Sequence, residues 1–177
     1  MKNKGWIILI LFLVILGLSG WKLFHNATDR VNEEITNKTE ASSSVLKAWE
    51  FSLPDVSGEV FSLKDFRDKV VLLTFWTSRC PYCIREIPIL KKIHAKYGGK
   101  DVEVLTVIIG EGKEIVNRIK KKEEIPYLIL LDEYMEVSHL YKVIGVPTDI
   151  IIDREGNIKY YNFFWPNNLE EIIEELL

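Results

Sequence analysis

Apolar and polar positions divide the chain into three stretches. Between Lys4 and Lys22 no residue is charged, and the run reads GWIILILFLVILGLSGW. Taken from Gly5 to Phe24, a helix rising ~1.5 Å per residue would extend about 30 Å, the thickness of a bilayer's hydrocarbon layer. Trp6 and Trp21 stand at its ends, where amphipathic rings favour the membrane interface, and Lys22 can snorkel. Residues 1–24 are therefore expected to form a signal-anchor transmembrane helix, with the membrane met by residues 5–24. The competing expectation is a cleaved signal peptide, since Lys2 and Lys4 suit its n-region. The apolar stretch is long for that purpose, and no clear A-x-A site follows it. Basic residues flank both sides (Lys2 and Lys4 before; Lys22, Arg30 and Lys38 after), so the charge count does not orient the helix. Residues 25–45, rich in Asn, Thr, Ser and Glu, read as a tether that could not bury a core.

From residue 46 to 177 the pattern changes to alternating strands and helices. AWEFSLPDV and EVFSLKDF suggest two short strands or a hairpin about Ser57-Gly58. KVVLLTFW, residues 69–76, is a nearly continuous apolar run suited to a buried central strand. Ile84, Ile87, Leu90, Ile93 and Tyr97 then recur at helical spacing, and Gly98-Gly99 ends that helix. A second buried strand is expected over 101–110 and a lysine-rich amphipathic helix over about 112–124. PYLILLD predicts a third strand and EVSHLYKV a short helix. TDIIID and NIKYYNFF predict an antiparallel hairpin, and LEEIIEELL a closing helix. The fold class is α/β, a central mixed β-sheet flanked by helices, in one domain over residues 46–177.

Composition removes several function classes. The net charge is −3, and a nucleic-acid binder would need a basic face. Two cysteines are too few for a disulfide-rich scaffold or an all-cysteine zinc site. No cofactor signature is present. The cysteines themselves carry the chemistry. Cys80-Pro81-Tyr82-Cys83 falls where the buried strand gives way to the helix. There, free backbone N–H groups and the positive end of the helix dipole stabilise a thiolate. Pro81 suits the first helical position, where its missing N–H costs nothing. The two-residue gap brings Cys83 round the first turn, and Arg79 adds a positive charge beside Cys80.

A half zinc site would need ligands from His25, His94 and His139 or from carboxylates, and no second histidine follows His94 at zinc-finger spacing. A c-type haem site would need His where Ile84 stands. A purely structural disulfide closing one helical turn would constrain almost nothing. The pair is expected to be redox-active.

Phe75-Trp76-x3-Cys80-Pro81-x-Cys83, Gly145-Val146-Pro147-Thr148 and Ile152-Asp153-Arg154-Glu155-Gly156 together resemble the thioredoxin superfamily, and more narrowly its membrane-anchored TlpA/ResA-type thiol–disulfide oxidoreductases. The resemblance covers about residues 48–177. It implies a thioredoxin-like fold with Cys80 as the attacking, solvent-facing thiolate and Cys83 as the buried resolving thiol. It also implies a cis-proline at Pro147 beside the pair, with Val146 offering backbone to an extended substrate. Trp76, Pro81 and Tyr82 would complete the substrate surface. Glu86 matches the acidic residue that tunes thiol pKa values in the ResA type, and it shares a helix face with Cys83. Pro88 matches the helix-kinking proline. Arg79 departs from the usual aromatic or small residue. Thr74 stands where cytoplasmic thioredoxins carry a buried Asp, leaving Glu86 as the candidate proton-handling carboxylate.

The resemblance further implies a catalytic domain outside the cytoplasm on a single-pass anchor and protein disulfide substrates, apocytochrome c among them. With no third cysteine, electrons would come from a membrane thiol-transfer protein. Alternatives stay open at this point. Thr77-x-x-Cys80 with a nearby Arg also resembles peroxiredoxins, although Leu73 stands where those carry proline. A disulfide-forming oxidase and a non-enzymatic assembly module are the others. The cluster Tyr160, Tyr161, Phe163, Phe164 and Trp165 fits core packing against the final helix, or else a docking patch.

Overall fold

The computed structural model describes residues 46–177, so the expected anchor and tether lie outside the described residues. Among the described residues no helix is long and apolar enough to cross a membrane.

Among the described residues seven strands and four α-helices follow one another. The elements are β1 (Ser52–Pro54), β2 (Val60–Ser62), β3 (Val70–Trp76), α1 (Pro81–Tyr97), β4 (Val102–Ile109) and α2 (Lys113–Lys122). After them come β5 (Leu128–Asp132), α3 (Glu136–Leu140), β6 (Thr148–Ile152), β7 (Ile158–Asn162) and α4 (Leu169–Leu176). The central sheet has the order β5-β4-β3-β6-β7. β3, β4 and β5 are parallel to one another, β6 pairs antiparallel with β3, and β7 pairs antiparallel with β6. β1 and β2 form a separate antiparallel hairpin.

β3 is buried at every position, as a strand covered on both faces must be. Its alternation sorts the core into two layers. Val70, Leu72 and Trp76 face one layer with Ile87, Leu90 and Ile93 of α1, Val116 of α2 and Ile173 of α4. Val71, Leu73 and Phe75 face the other, with Phe51 just before β1, Leu53 of β1 and Val137 of α3. Tyr141 anchors this second layer. Its ring meets Trp49, Phe51 and Phe75 at 5.3–5.9 Å, and its hydroxyl donates to the Trp49 carbonyl at 2.7 Å.

Two expectations need correction. LKDF does not extend the second strand but forms a 3-10 turn, Leu63–Phe66. The Asp65 carboxylate accepts from the Ser62 backbone N–H at 2.7 Å and turns the chain. The last strand ends at Asn162, so Phe163, Phe164 and Trp165 belong to the loop before α4 rather than to a strand.

Candidate active site

Cys80 is the N-cap of α1, and Pro81 is its first residue. Extended backbone at Cys80 leaves the first-turn N–H groups unpaired by the helix, and the sulfur takes one of them: Cys83 N–H points at Cys80 Sγ at 3.1 Å. That contact, with the helix dipole behind it, favours negative charge on Cys80. Cys80 and Cys83 are joined as a disulfide, with Cα atoms 5.3 Å apart. Cys80 is 8% exposed and Cys83 3%. Cys80 is the slightly more exposed of the two, although both residues are buried.

The Val146–Pro147 peptide bond is cis. It places the Val146 carbonyl 3.6 Å from Cys80 Sγ. Thr148 Oγ1 donates to the Gly145 carbonyl at 2.7 Å and ties off this loop. Gly145 lets the Phe163 ring lie close to this loop, since a Cβ would meet the ring at 3.0 Å and push it outward. The loop is braced a second time by Tyr161, whose hydroxyl donates to the Tyr141 carbonyl at 2.8 Å.

Around the disulfide lies an aromatic and basic rim. Tyr82 is 54% exposed, stacks edge-on with Phe164 at 5.8 Å, and carries the Arg85 guanidinium 4.4 Å above its ring. Ile144, Phe163 and Phe164 are also exposed. A shallow cavity of about 220 Å³ lies beside the cis-proline loop, between Ile144, Thr148, Tyr161 and Phe163. The late aromatic cluster therefore divides: Trp165 enters the core, while Tyr161, Phe163 and Phe164 face outward beside the site. Trp76 is 3% exposed and packs behind the cysteines. This corrects its expected place on the substrate surface, because β3 turns its side chain inward beneath α1.

Glu86 follows Cys83 by one turn and is 6% exposed. Burial raises its pKa to about 7, because a carboxylate loses its hydration there. Two residues of the site were not singled out from the sequence. Asp149, wholly buried in β6, lies directly across from Thr74, and burial pushes its carboxyl well above the usual range. Glu111, 5% exposed, accepts from the Ser78 backbone N–H at 3.1 Å and from the Ser78 hydroxyl at 3.0 Å, fixing the loop that leads into Cys80. An acid inside the TDIIID strand was the available signal for Asp149. The EGKE stretch gave none for Glu111. Glu111→Ala leaves the Ser78 N–H without its acceptor, and it is expected to cost about 1–3 kcal/mol in urea unfolding, with most of the loss restored in Glu111→Gln.

A mixed sheet, a dithiol at a helix N-terminus and a cis-proline against it define a thioredoxin-fold protein-disulfide oxidoreductase. The comparisons with known proteins agree. Residues 46–161 match the AhpC/TSA family model, and the chain belongs to that family as a ResA-type member of the thioredoxin superfamily. It is 31% identical over 149 residues to the thiol-disulfide oxidoreductase ResA of Geobacillus kaustophilus, covering 84% of this chain and 81% of the relative. Its fold is similar to the thioredoxin domain of a thiol-disulfide oxidoreductase from Bacteroides vulgatus, with TM-score 0.67 and 25% identity, over 75% of this chain and 96% of that one. It is also similar to the exposed lipoprotein thioredoxin of Streptococcus pneumoniae, with TM-score 0.63 and 27% identity, over 72% and 100%.

Proposed function

We propose that this enzyme is a membrane-anchored, extracytoplasmic reductase of disulfides in exported proteins. The apolar run from Gly5 to Phe24 supports the anchor, and the resemblance to ResA-type proteins supports the orientation. The observation that carries the reductive reading is the buried Glu86 one turn after Cys83. A buried anion beside the resolving thiol disfavours its thiolate, and it keeps Cys83 protonated until a mixed disulfide forms. Protein substrates follow from the family, and apocytochrome c with reduced haem-site cysteines as product is the client class proposed. An extended client segment would lie along Val146 and Pro147, with its apolar side chains on Tyr82, Phe163 and Phe164. Reoxidised enzyme would be recharged by a membrane thiol-transfer protein, since the pair has no third thiol to draw on.

Cys83→Ala is expected to accumulate a mixed disulfide between Cys80 and its client in cells, visible as a high-mass band lost on reduction. No such band would count against a protein client. Purified reduced enzyme is expected to reduce insulin and a disulfide-bonded haem-site peptide faster than it consumes peroxide. The reverse ranking would favour the peroxidase reading of Thr77-x-x-Cys80.

A further inference from the structure

The sheet face beneath α1 is apolar except for one row. Thr106, Thr74 and Asp149 stand abreast on β4, β3 and β6. Thr106 is satisfied, donating to the Leu128 carbonyl at 3.1 Å. Thr74 Oγ1 and both carboxyl oxygens of Asp149 are buried without a partner at bonding distance, and so is Glu86 Oε2 on the helix above. Glu86 and Asp149 face one another closely enough that each carboxyl shifts the other's titration. The other polar groups turned toward the pair are Tyr127 from the segment before β5, Tyr160 from β7, the Trp165 backbone N–H and Thr74. None of these is cationic. Two bare carboxylates in such a place would repel each other and lack compensation, so one of them must hold a proton. Burial acts harder on Asp149, which is wholly enclosed, than on Glu86, which keeps an exposed edge.

We propose that Asp149 is a positioning residue of the dithiol reaction: its protonated carboxyl donates to Glu86 and holds Glu86 ready as the base that takes the proton of Cys83. The inference rests on the dithiol exchange of Cys80 and Cys83 and holds for either direction of electron flow. In the resolving step Cys83 sulfur attacks Cys80 sulfur. The Cys80–Cys83 bond forms and the Cys80–client bond breaks. The client sulfur leaves with the electron pair as a thiolate, and the Cys83 proton passes to Glu86. The cysteine pair is oxidised by two electrons and the client is reduced by two. Asp149 keeps its own proton throughout, which allows Glu86 to be an anion in a site that would otherwise neutralise it.

The test uses the full chain in detergent. Reduced protein is mixed with an aromatic disulfide, dithiobis(nitrobenzoate), and the second release of coloured thiolate, which reports Cys83 attack, is followed against pH. Wild type is expected to show a midpoint near the Glu86 value of about 7. Asp149→Asn, whose amide still donates to Glu86, is expected to retain that midpoint. Asp149→Leu removes the donor, and its midpoint is expected to rise by about one unit, slowing release at neutral pH about fivefold. An unmoved midpoint in Asp149→Leu, or equal shifts in both variants, overturns the proposal. Should the leucine variant fail to fold, the infrared spectrum decides. At neutral pH the protonated-carboxyl absorbance of wild type is expected to exceed that of Asp149→Asn by one carboxyl, Glu86 contributing to both, and equal absorbance in the two proteins overturns the proposal. Absence of any second release in wild type would instead overturn the dithiol exchange itself.

Discussion

Cys80→Ser is expected to remove disulfide exchange, lowering turnover more than about a thousandfold while the fold survives. The sulfur at position 80 has two duties that serine separates. As an N-cap it receives the Cys83 N–H, and a serine oxygen accepts that bond equally well. As a nucleophile it must be ionised near neutral pH, and a hydroxyl is not. The lost disulfide closes only one helical turn, so its removal costs the folded state little. Insulin reduction and thermal melting, measured on the same sample, therefore should part company: no turnover, with a melting temperature near that of wild type. Turnover within tenfold of wild type would move the chemistry away from Cys80 and favour the non-enzymatic assembly reading.

What was legible in the sequence is what is local. The apolar run of β3, the helical spacing after Cys83 and the glycines at 98–99 each act within a few residues, and each element formed where expected. The aromatic tail was ambiguous for the same reason. A run of Tyr and Phe does not show where the strand stops: Tyr161 faces outward from β7 itself, and the loop that follows Asn162 turns Phe163 and Phe164 outward. LKDF looked like strand continuation because its turn depends on one side chain, Asp65, reaching back to Ser62.

The site was legible where a motif repeats across a family and illegible where it depends on register. Cys80 and Cys83 were legible from their spacing at a helix start, Pro147 and Glu86 entered through resemblance, and the structure brings all four to one end of the sheet around α1. Asp149 is different. Alternation along β6 places its side chain on one face, but only the pairing of β6 with β3 puts it opposite Thr74 and under Glu86. The absence of an acid at Thr74 pointed to a missing carboxylate on that strand, and the neighbouring strand supplies one. Glu111 reads as a solvated loop acid until Ser78, thirty-three positions earlier, closes over it.

Glu86→Gln is expected to stabilise the folded protein at pH 8 by on the order of 3 kcal/mol and to leave it nearly unchanged at pH 4. Burial raises Glu86 from an ordinary value of 4.5 to about 7 in the folded state. An acid raised on folding keeps its proton longer in the native than in the unfolded chain. Its neutral form therefore supports the fold fully below about 4.5, and that support is lost as pH climbs through about 7. Asp149, raised further by its deeper burial and by the Glu86 charge, carries the decline to higher pH. Glutamine has no proton to surrender, so the variant keeps only the decline due to Asp149 and falls less steeply than the wild type. Urea unfolding of the oxidised full chain at pH 4, 6 and 8 measures the divergence, and parallel curves for the two proteins would show that Glu86 is not buried as an acid. The same variant is expected to slow Cys83 attack at every pH, because an amide cannot take the thiol proton. Gained stability with lost resolution in one substitution would place the cost in the ionised carboxylate, which is the form the reaction uses.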